Sequence, residues 1–337
     1  FSTLTKQDLQ ASFGKLKPHV DHPLIEAGET RHFLDYYYGI NISRALMSAI
    51  KKAGAFKILS TGRVQGPALK ILVDKEKEIA AFIPVPYWEL ELFSGTTPPF
   101  EALHEIDKFW KKDEAQQKFD NIKKEKTALV KSVEKKEYDQ APPTPFDLTT
   151  LQTEAHKTLG LKPKRMSDIA QGLYTGGFIS YPRTSSQQLP PAIGFASIMK
   201  QLGKQKEYAV LTQQLLKKSS LQPNNGKKTD PAHPAIYPTG IAPSGLEDQE
   251  FKLYDLIVKR FLATFGDPAV RETMTALLDV KKEIFVAKGT RTTKEGWHEL
   301  YAPYVKMEET SLPALTQGQQ IPVKKITIEE KATQPPK

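Results

Sequence analysis

The sequence predicts an α+β, multidomain chain on three observations. Apolar residues recur at helical spacing in 24–50, 60–82 and 149–218. Runs such as 87–93 alternate in the two-residue rhythm of strands. A proline-rich segment, APPTP at 141–145, fits neither a helix interior nor a central strand and marks a boundary. A length of 337 residues leaves room for two or three domains and a sizeable core.

In chain order, 24–50 (LIEAGETRHFLDYYYGINISRALMSAI) is interrupted by Gly39 and Asn41, which predicts two helices with a turn between them. In 60–82, Leu69, Leu72, Val73, Ile79 and Phe82 form an apolar stripe, with Asp74, Glu76 and Glu78 turned to water. Pro84 and Pro86 end that helix, and YWELELF reads as a strand. Residues 104–137 hold ten Lys and eight acidic residues, a mixture that suits a solvated helix face better than a phosphate groove. TALVKSVEKKEY then reads as an edge-type strand guarded by lysines.

After the prolines come helical patterns at 149–159, 163–175 and about 192–218, with Pro163 at a start and Gly176-Gly177 at a stop. Phe178 to Tyr181 form a short strand halted by Pro182, and the whole segment has a winged-helix-like order. Residues 222–245 form a long Pro/Gly/Asn-rich loop, of the kind that is functional or disordered. A helix at 246–265 and strand-like runs at 272–288 and 297–305 follow.

Composition excludes several classes. Without cysteine there are no disulfides, no thiolate catalysis and no cysteine-ligated metal. No stretch approaches the roughly 18 apolar residues that span a bilayer, and there is no leader pattern at Phe1. A cytoplasmic protein without membrane contact is expected. A net charge of +9 favours an anionic partner, nucleic acid first, although many basic proteins bind none. A chain that opens on Phe1 and closes on ATQPPK is expected to be part of something longer.

Three clusters carry chemistry. In GFISYPRTSS, a strand would project Tyr181 and Arg183 to one face, and Arg with Ser/Thr hydroxyls can cradle phosphate. On residue types alone, a surface strand end with a packed Tyr and a solvated Arg fits better. In DPAHPAIYP, prolines hold His233 in a rigid loop where it could move a proton or simply cap and pack. In STGRVQ, a helix N-terminus offers free amides to phosphate, with Arg63 and Gln65 in reach; a plain capped helix start fits equally. There is no P-loop, GxGxxG, HExxH or Asp-x-Asp group to hold Mg²⁺.

Together these segments resemble type IA DNA topoisomerases, in the spelling of archaeal enzymes or of the topoisomerase half of reverse gyrase. GFISYPRTSS resembles the family's tyrosine motif, LSTGRVQGPALKILVDKEKEIAAF its GRVQ helix, DPAHPAIYPTG its histidine motif and EGWHELY its returning strand. The resemblance implies a toroidal gate region with a winged-helix-like tyrosine domain inserted in a β-rich arch. Its domains would be a helical base portion at 1–85, arch halves at 86–145 and 241–325, the tyrosine domain at 146–240 and a tail at 326–337.

The resemblance further implies that Tyr181 attacks a DNA phosphodiester to give a 5′-phosphotyrosyl bond and a free 3′-hydroxyl. A phenol, with an ordinary pKa of about 10, leaves more readily than a sugar hydroxyl, so the ester reverses without ATP. Arg183 would stabilise the pentavalent phosphate, and His233 would bond the phosphate or assist proton transfer. Arg31, Arg63 and Gln65 would hold single-stranded DNA, with Thr184 and Ser185 as further DNA contacts.

Many relatives have Asp where Ser185 stands, and bacterial ones often have Arg at the positions of Tyr36 and Tyr237. The implied cofactor is Mg²⁺, held by a Toprim domain in the same or another polypeptide. No metal ligands are assigned within these residues. The implied partner is single-stranded or negatively supercoiled DNA, and the implied location is the nucleoid. The other functions left open are the topoisomerase module of reverse gyrase and a DNA-binding gate fragment inactive without a separate Toprim domain.

Overall fold

The structure is a computed structural model and describes residues 2–16, 18–307 and 309–336. These form two compact units, one from the described residues of 1–16, 92–105 and 125–325, the other from those of 17–91, 106–124 and 326–337.

In the second unit, α2 (His22–Lys52) is one unbroken helix, not the two predicted. A glycine within a helix costs only about 1 kcal/mol relative to alanine, too little for Gly39 to break 31 residues. The Asp21 carboxylate caps its start by accepting from the Leu24 N–H at 3.2 Å, and Lys51 and Lys52 complement the dipole at its end. Helix α3 (Gln65–Ala81) stops ahead of Pro84, as expected. No residue of α2 or α3 is buried, so the apolar stripe lies open, with Leu69 61% and Leu72 63% exposed. Helix α4 (Lys112–Ile122) buries only Ala115 and Ile122, as its mixed charge implied.

Strands β1 (Pro86–Ser94), β2 (Glu101–His104), β3 (Thr127–Gln140), β4 (Ala269–Val280), β5 (Glu283–Lys294) and β6 (Gln320–Ala332) close into a barrel in the order β1-β2-β5-β4-β3-β6. The edge reading of β3 holds only for its later half. Thr127, Ala128 and Leu129 pair with β6, while β4 runs beside it from Leu129 to Gln140. The 272–288 run is a hairpin that turns at Lys281 and Lys282, both at positive φ, with the Asp279 carboxylate accepting from the Lys282 N–H. β6 continues through Ala332, so the expected tail begins as strand.

The predicted strand at 297–305 is instead a short helix, α10 (Trp297–Tyr301). Trp297, Leu300, Tyr301 and Tyr304 are all buried. Their spacing of three, four and seven residues is helical, and Gly296 at φ +54 starts the turn.

The helices α5 (Leu148–Leu159), α6 (Pro163–Thr175), α7 (Phe195–Leu202), α8 (Ala209–Leu216) and α9 (Asp248–Ala263) share one core. Leu151, Met166, Leu173, Met199, Tyr208 and Phe261 fill it. The 192–218 pattern is divided by Gly203 and the turns after it into α7 and α8. Asp255 is buried at the centre, accepting from the hydroxyls of Tyr208 (3.0 Å) and Tyr304 (2.6 Å) and paired with Lys259. Such a buried acceptor persists because its bonds are all made. The proline segment is also tied down: Arg260 Nε donates to the Thr144 carbonyl at 2.8 Å, and its guanidinium lies over Phe146. The short helix α1 (Lys6–Phe13) belongs to this unit.

Candidate active site

Helix α6 ends at Thr175, and Gly177, at φ +77, turns the chain into 178–188. The predicted short strand here is reduced to an isolated bridge, Ile179 with Pro238, because Pro182 and Pro238 lack the N–H that would extend the pairing. The long loop lies along this segment. Ser180 N–H donates to the Tyr237 carbonyl and Tyr237 N–H to the Ser180 hydroxyl, both at 2.9 Å. Ala235 N–H donates to the Gln188 carbonyl and Gln187 N–H to that of Lys228. The loop between α8 and α9 is thus held as firmly as a strand, without being one.

Tyr181 and His233 meet across this pairing. Their ring centroids are 4.6 Å apart, and Tyr174 packs edge-on against Tyr181 from the other side at 5.3 Å. Burial, together with Tyr181, pushes the Tyr174 phenol above its usual range. The Tyr181 main chain is fixed by donation of its N–H to the Ser2 carbonyl at 2.9 Å. His233 Nδ1 is buried and has no hydrogen-bond partner among the described residues, an unmet polar atom on the ring that packs against Tyr181.

Asp230 sets the His233 turn. Its carboxylate accepts from the N–H groups of Ala232 (2.9 Å) and His233 (3.1 Å), and from the N–H and hydroxyl of Ser185. The Ala232 N–H, followed by those of His233 and Ser185, outweighs partial burial and holds the carboxyl down at about 2. This is the self-capping turn that Asp favours; Asp-Pro-Ala-His carried the signal, and Asp230 had no assigned role.

Thr184 is buried, with its hydroxyl donating to the His233 carbonyl at 3.3 Å. Arg183 is exposed and makes no ion pair among the described residues. Deeper in, Asp147 caps α5 and accepts from Lys228 Nζ at 2.9 Å and Gln187 Nε2 at 3.3 Å. Burial would raise its carboxyl, but Lys228 and Thr150 overcome that and lower it.

In the second unit, Arg63 Nε donates to Asp35 at 2.6 Å and Arg31 lies 3.7 Å from the same carboxylate. The Arg63 hydrogen bond, with both charges, lowers Asp35 despite slight desolvation. Gln65 opens α3 and is exposed. Arg31 and Arg63 therefore share one counter-ion, a partner that the sequence reading did not include.

Among the described residues no group of three or more His, Asp or Glu could hold a metal ion, and Asp230 is already taken up by its four donors. The described residues do not fit a Mg²⁺ site. No helix among them is long and apolar enough to cross a membrane.

A family model described as DNA topoisomerase matches residues 19–337. DNA topoisomerase 1 of Pyrococcus horikoshii is 47% identical over 340 residues, which takes in 100% of this chain and 49% of that protein. The Methanocaldococcus jannaschii DNA topoisomerase 1 is 45% identical, across 100% of this chain and 44% of its own length. The solved structure of full-length topoisomerase I from Thermotoga maritima superposes with a TM-score of 0.74 at 26% identity, covering all of this chain and 55% of that one. The chain spans about half the length of the curated relatives it matches.

Proposed function

The chain belongs to the type IA DNA topoisomerase family, and on that premise we propose that it cleaves one strand of DNA by transesterification, passes a strand and rejoins the break, relaxing negative supercoils. The observation that carries this is the pairing of the Tyr181 ring with His233, whose Nδ1 is buried and unpartnered.

In the reaction, the Tyr181 phenol oxygen forms a bond to a backbone phosphorus, and the bond from that phosphorus to the 3′ oxygen breaks. The phenol proton ends on the departing 3′ oxygen. His233 holds the phosphate or relays that proton, and Arg183, exposed beside Tyr181 in sequence, stabilises the charge that builds on the pentavalent phosphorus. Rejoining is the reverse attack by the 3′-hydroxyl. Arg31, Arg63 and Gln65 hold single-stranded DNA, chiefly by charge and stacking; Ser185 offers a further contact, and Thr184 acts through the His233 carbonyl. No step here runs through Mg²⁺, for which a Toprim domain, in the same or another polypeptide, is the expected holder.

The tyrosine domain at 146–240, winged-helix-like, would be an insertion in a β-rich arch at 86–145 and 241–325. Pairing of β3 with β4, on either side of that stretch of chain, supports this. Such an arch would lift Tyr181 to open a gate. The relatives' name, DNA topoisomerase 1, favours this function over a reverse gyrase module. A cytoplasmic, nucleoid-associated location follows from a DNA substrate. The test is relaxation of negatively supercoiled plasmid with Mg²⁺ and an added Toprim-type fragment. Relaxation that Tyr181→Phe abolishes is expected; relaxation that survives Tyr181→Phe would refute the assignment.

A further inference from the structure

We propose that Tyr87 and Trp110 form a stacking platform for unpaired nucleobases, a contact with single-stranded nucleic acid apart from the Tyr181 loop. The proposal rests on single-stranded DNA being this chain's substrate. Trp110 is 57% exposed, an unusual state for the largest apolar side chain. Its ring lies 5.8 Å from that of Tyr87 at an interplanar angle of 58°, and Lys108 Nζ stands 5.0 Å from the Tyr87 centroid.

The backbone beneath fixes this arrangement. Trp88 and Phe109 exchange two hydrogen bonds, N–H to carbonyl in both directions at 2.9 Å. Tyr87 and Trp110 are the residues just outside that bridge, so their Cα atoms are held in place before any ligand arrives. The neighbouring Trp88 is different: its indole N–H donates to Glu330 at 3.2 Å. The Trp110 indole makes no hydrogen bond among the described residues. Trp110 offers the open face, with the half-buried Tyr87 and its cation Lys108 bracing it from one side, and an exposed aromatic held this way is what bases stack on in sequence-tolerant single-strand binding.

Charge decides how such a site behaves. Lys108, Lys111 and Lys112 are offset by Glu105, Asp107, Asp113 and Glu114, with Lys111 paired to Glu114. Little counterion release is therefore available here, and binding must come from base stacking. This separates the platform from the Arg31, Arg63 and Arg183 contacts, whose contribution falls with salt.

The test uses the full chain carrying Tyr181→Phe, fluorescein-labelled oligothymidylate, and an abasic strand of equal length. Trp110→Ala is expected to weaken oligothymidylate binding roughly 5- to 150-fold, the span of one stacked base. Abasic binding and the salt slope should be unchanged, and Trp110→Phe should keep most of the affinity. Equal affinity of Trp110→Ala and its parent for oligothymidylate would overturn the platform, as would a parallel loss on both strands. The Tyr181 adduct assay on the unsubstituted chain, with Mg²⁺ and a Toprim-type fragment added, separates the two claims. Adduct formation with Trp110-independent binding refutes the platform alone, whereas Trp110-dependent binding without an adduct refutes only the cleavage chemistry.

Discussion

Asp147 joins three parts of the tyrosine site, so replacing it should loosen all of them together. Its side chain is only 2% exposed. One oxygen caps α5 through the Thr150 N–H (2.6 Å) and hydroxyl (2.7 Å), and the other receives Lys228 and Gln187. Loss of an N-cap costs about 0.5–2 kcal/mol. The Lys228 bond is charge-assisted, but Lys228 is half-exposed and keeps water when released, so about 1 kcal/mol is a fair share. Asp147→Ala should therefore cost about 1.5–3 kcal/mol, and Asp147→Asn, which keeps the cap, about 1 kcal/mol. For a unit of this size each kcal/mol lowers the melting temperature by about 2–4 °C.

The sign with pH follows from the lowered carboxyl. Its stabilisation is fully present above the ordinary value of 3.8 and fades as pH falls through the lower folded value. Calorimetry on the three proteins at pH 7 and near pH 3 reads both effects, and the deficit of Asp147→Ala should shrink in acid. Equal stability of Asp147→Ala and the parent, or a deficit that grows in acid, would refute the reasoning.

Arg183→Ala should slow strand cleavage by about 10²–10³, the usual effect of losing a donor to transition-state charge, while oligonucleotide affinity changes only a few-fold; single-turnover cleavage and anisotropy check this. Asp230, held at about 2, should keep the His233 turn fastened from neutral pH down past 3.8 and release it only as pH nears 2, since a depressed carboxyl stabilises above its unfolded value. Amide exchange across 229–234 over that range is the measurement. Gly296→Ala should destabilise the α10 junction by more than 2 kcal/mol, about the cost of strain at a special backbone position. Gly296 sits at φ +54, and an added Cβ would lie 2.7 Å from the Asp267 carbonyl and closer still to that of Pro268. Urea unfolding reads the loss.

Sequence reasoning located several helices and the proline boundary from local pattern. On residue types alone Tyr181 read as a packed side chain and His233 as a loop residue that could equally cap and pack, and the resemblance of their motifs singled them out; the long loop was marked by its Pro/Gly/Asn content. It failed where the outcome depended on partners or on helix context. Gly39 looked like a breaker, yet the residues on either side continue one helix. The 297–304 segment carried a helical period that its aromatic content disguised as strand. The stripe on α3 promised a buried face, and burial depends on neighbours that periodicity cannot supply. The donation from Tyr181 N–H to Ser2 left no trace in sequence, since main-chain groups are the same at every residue. The Asp147 cap was legible in Asp-Leu-Thr-Thr, but the helical pattern was begun at 149, past the residue that caps it.

The most direct test of the account is a covalent-adduct assay. The chain and its Tyr181→Phe variant are incubated with 3′-labelled single-stranded DNA and Mg²⁺, with and without a Toprim-type fragment, and then denatured. Label retained on the chain and absent from Tyr181→Phe is the predicted result, since a 5′-phosphotyrosyl bond keeps the 3′-labelled piece on the protein. Label equal on both proteins, or on neither in any arm although DNA is bound, would contradict the assignment of Tyr181 as the nucleophile.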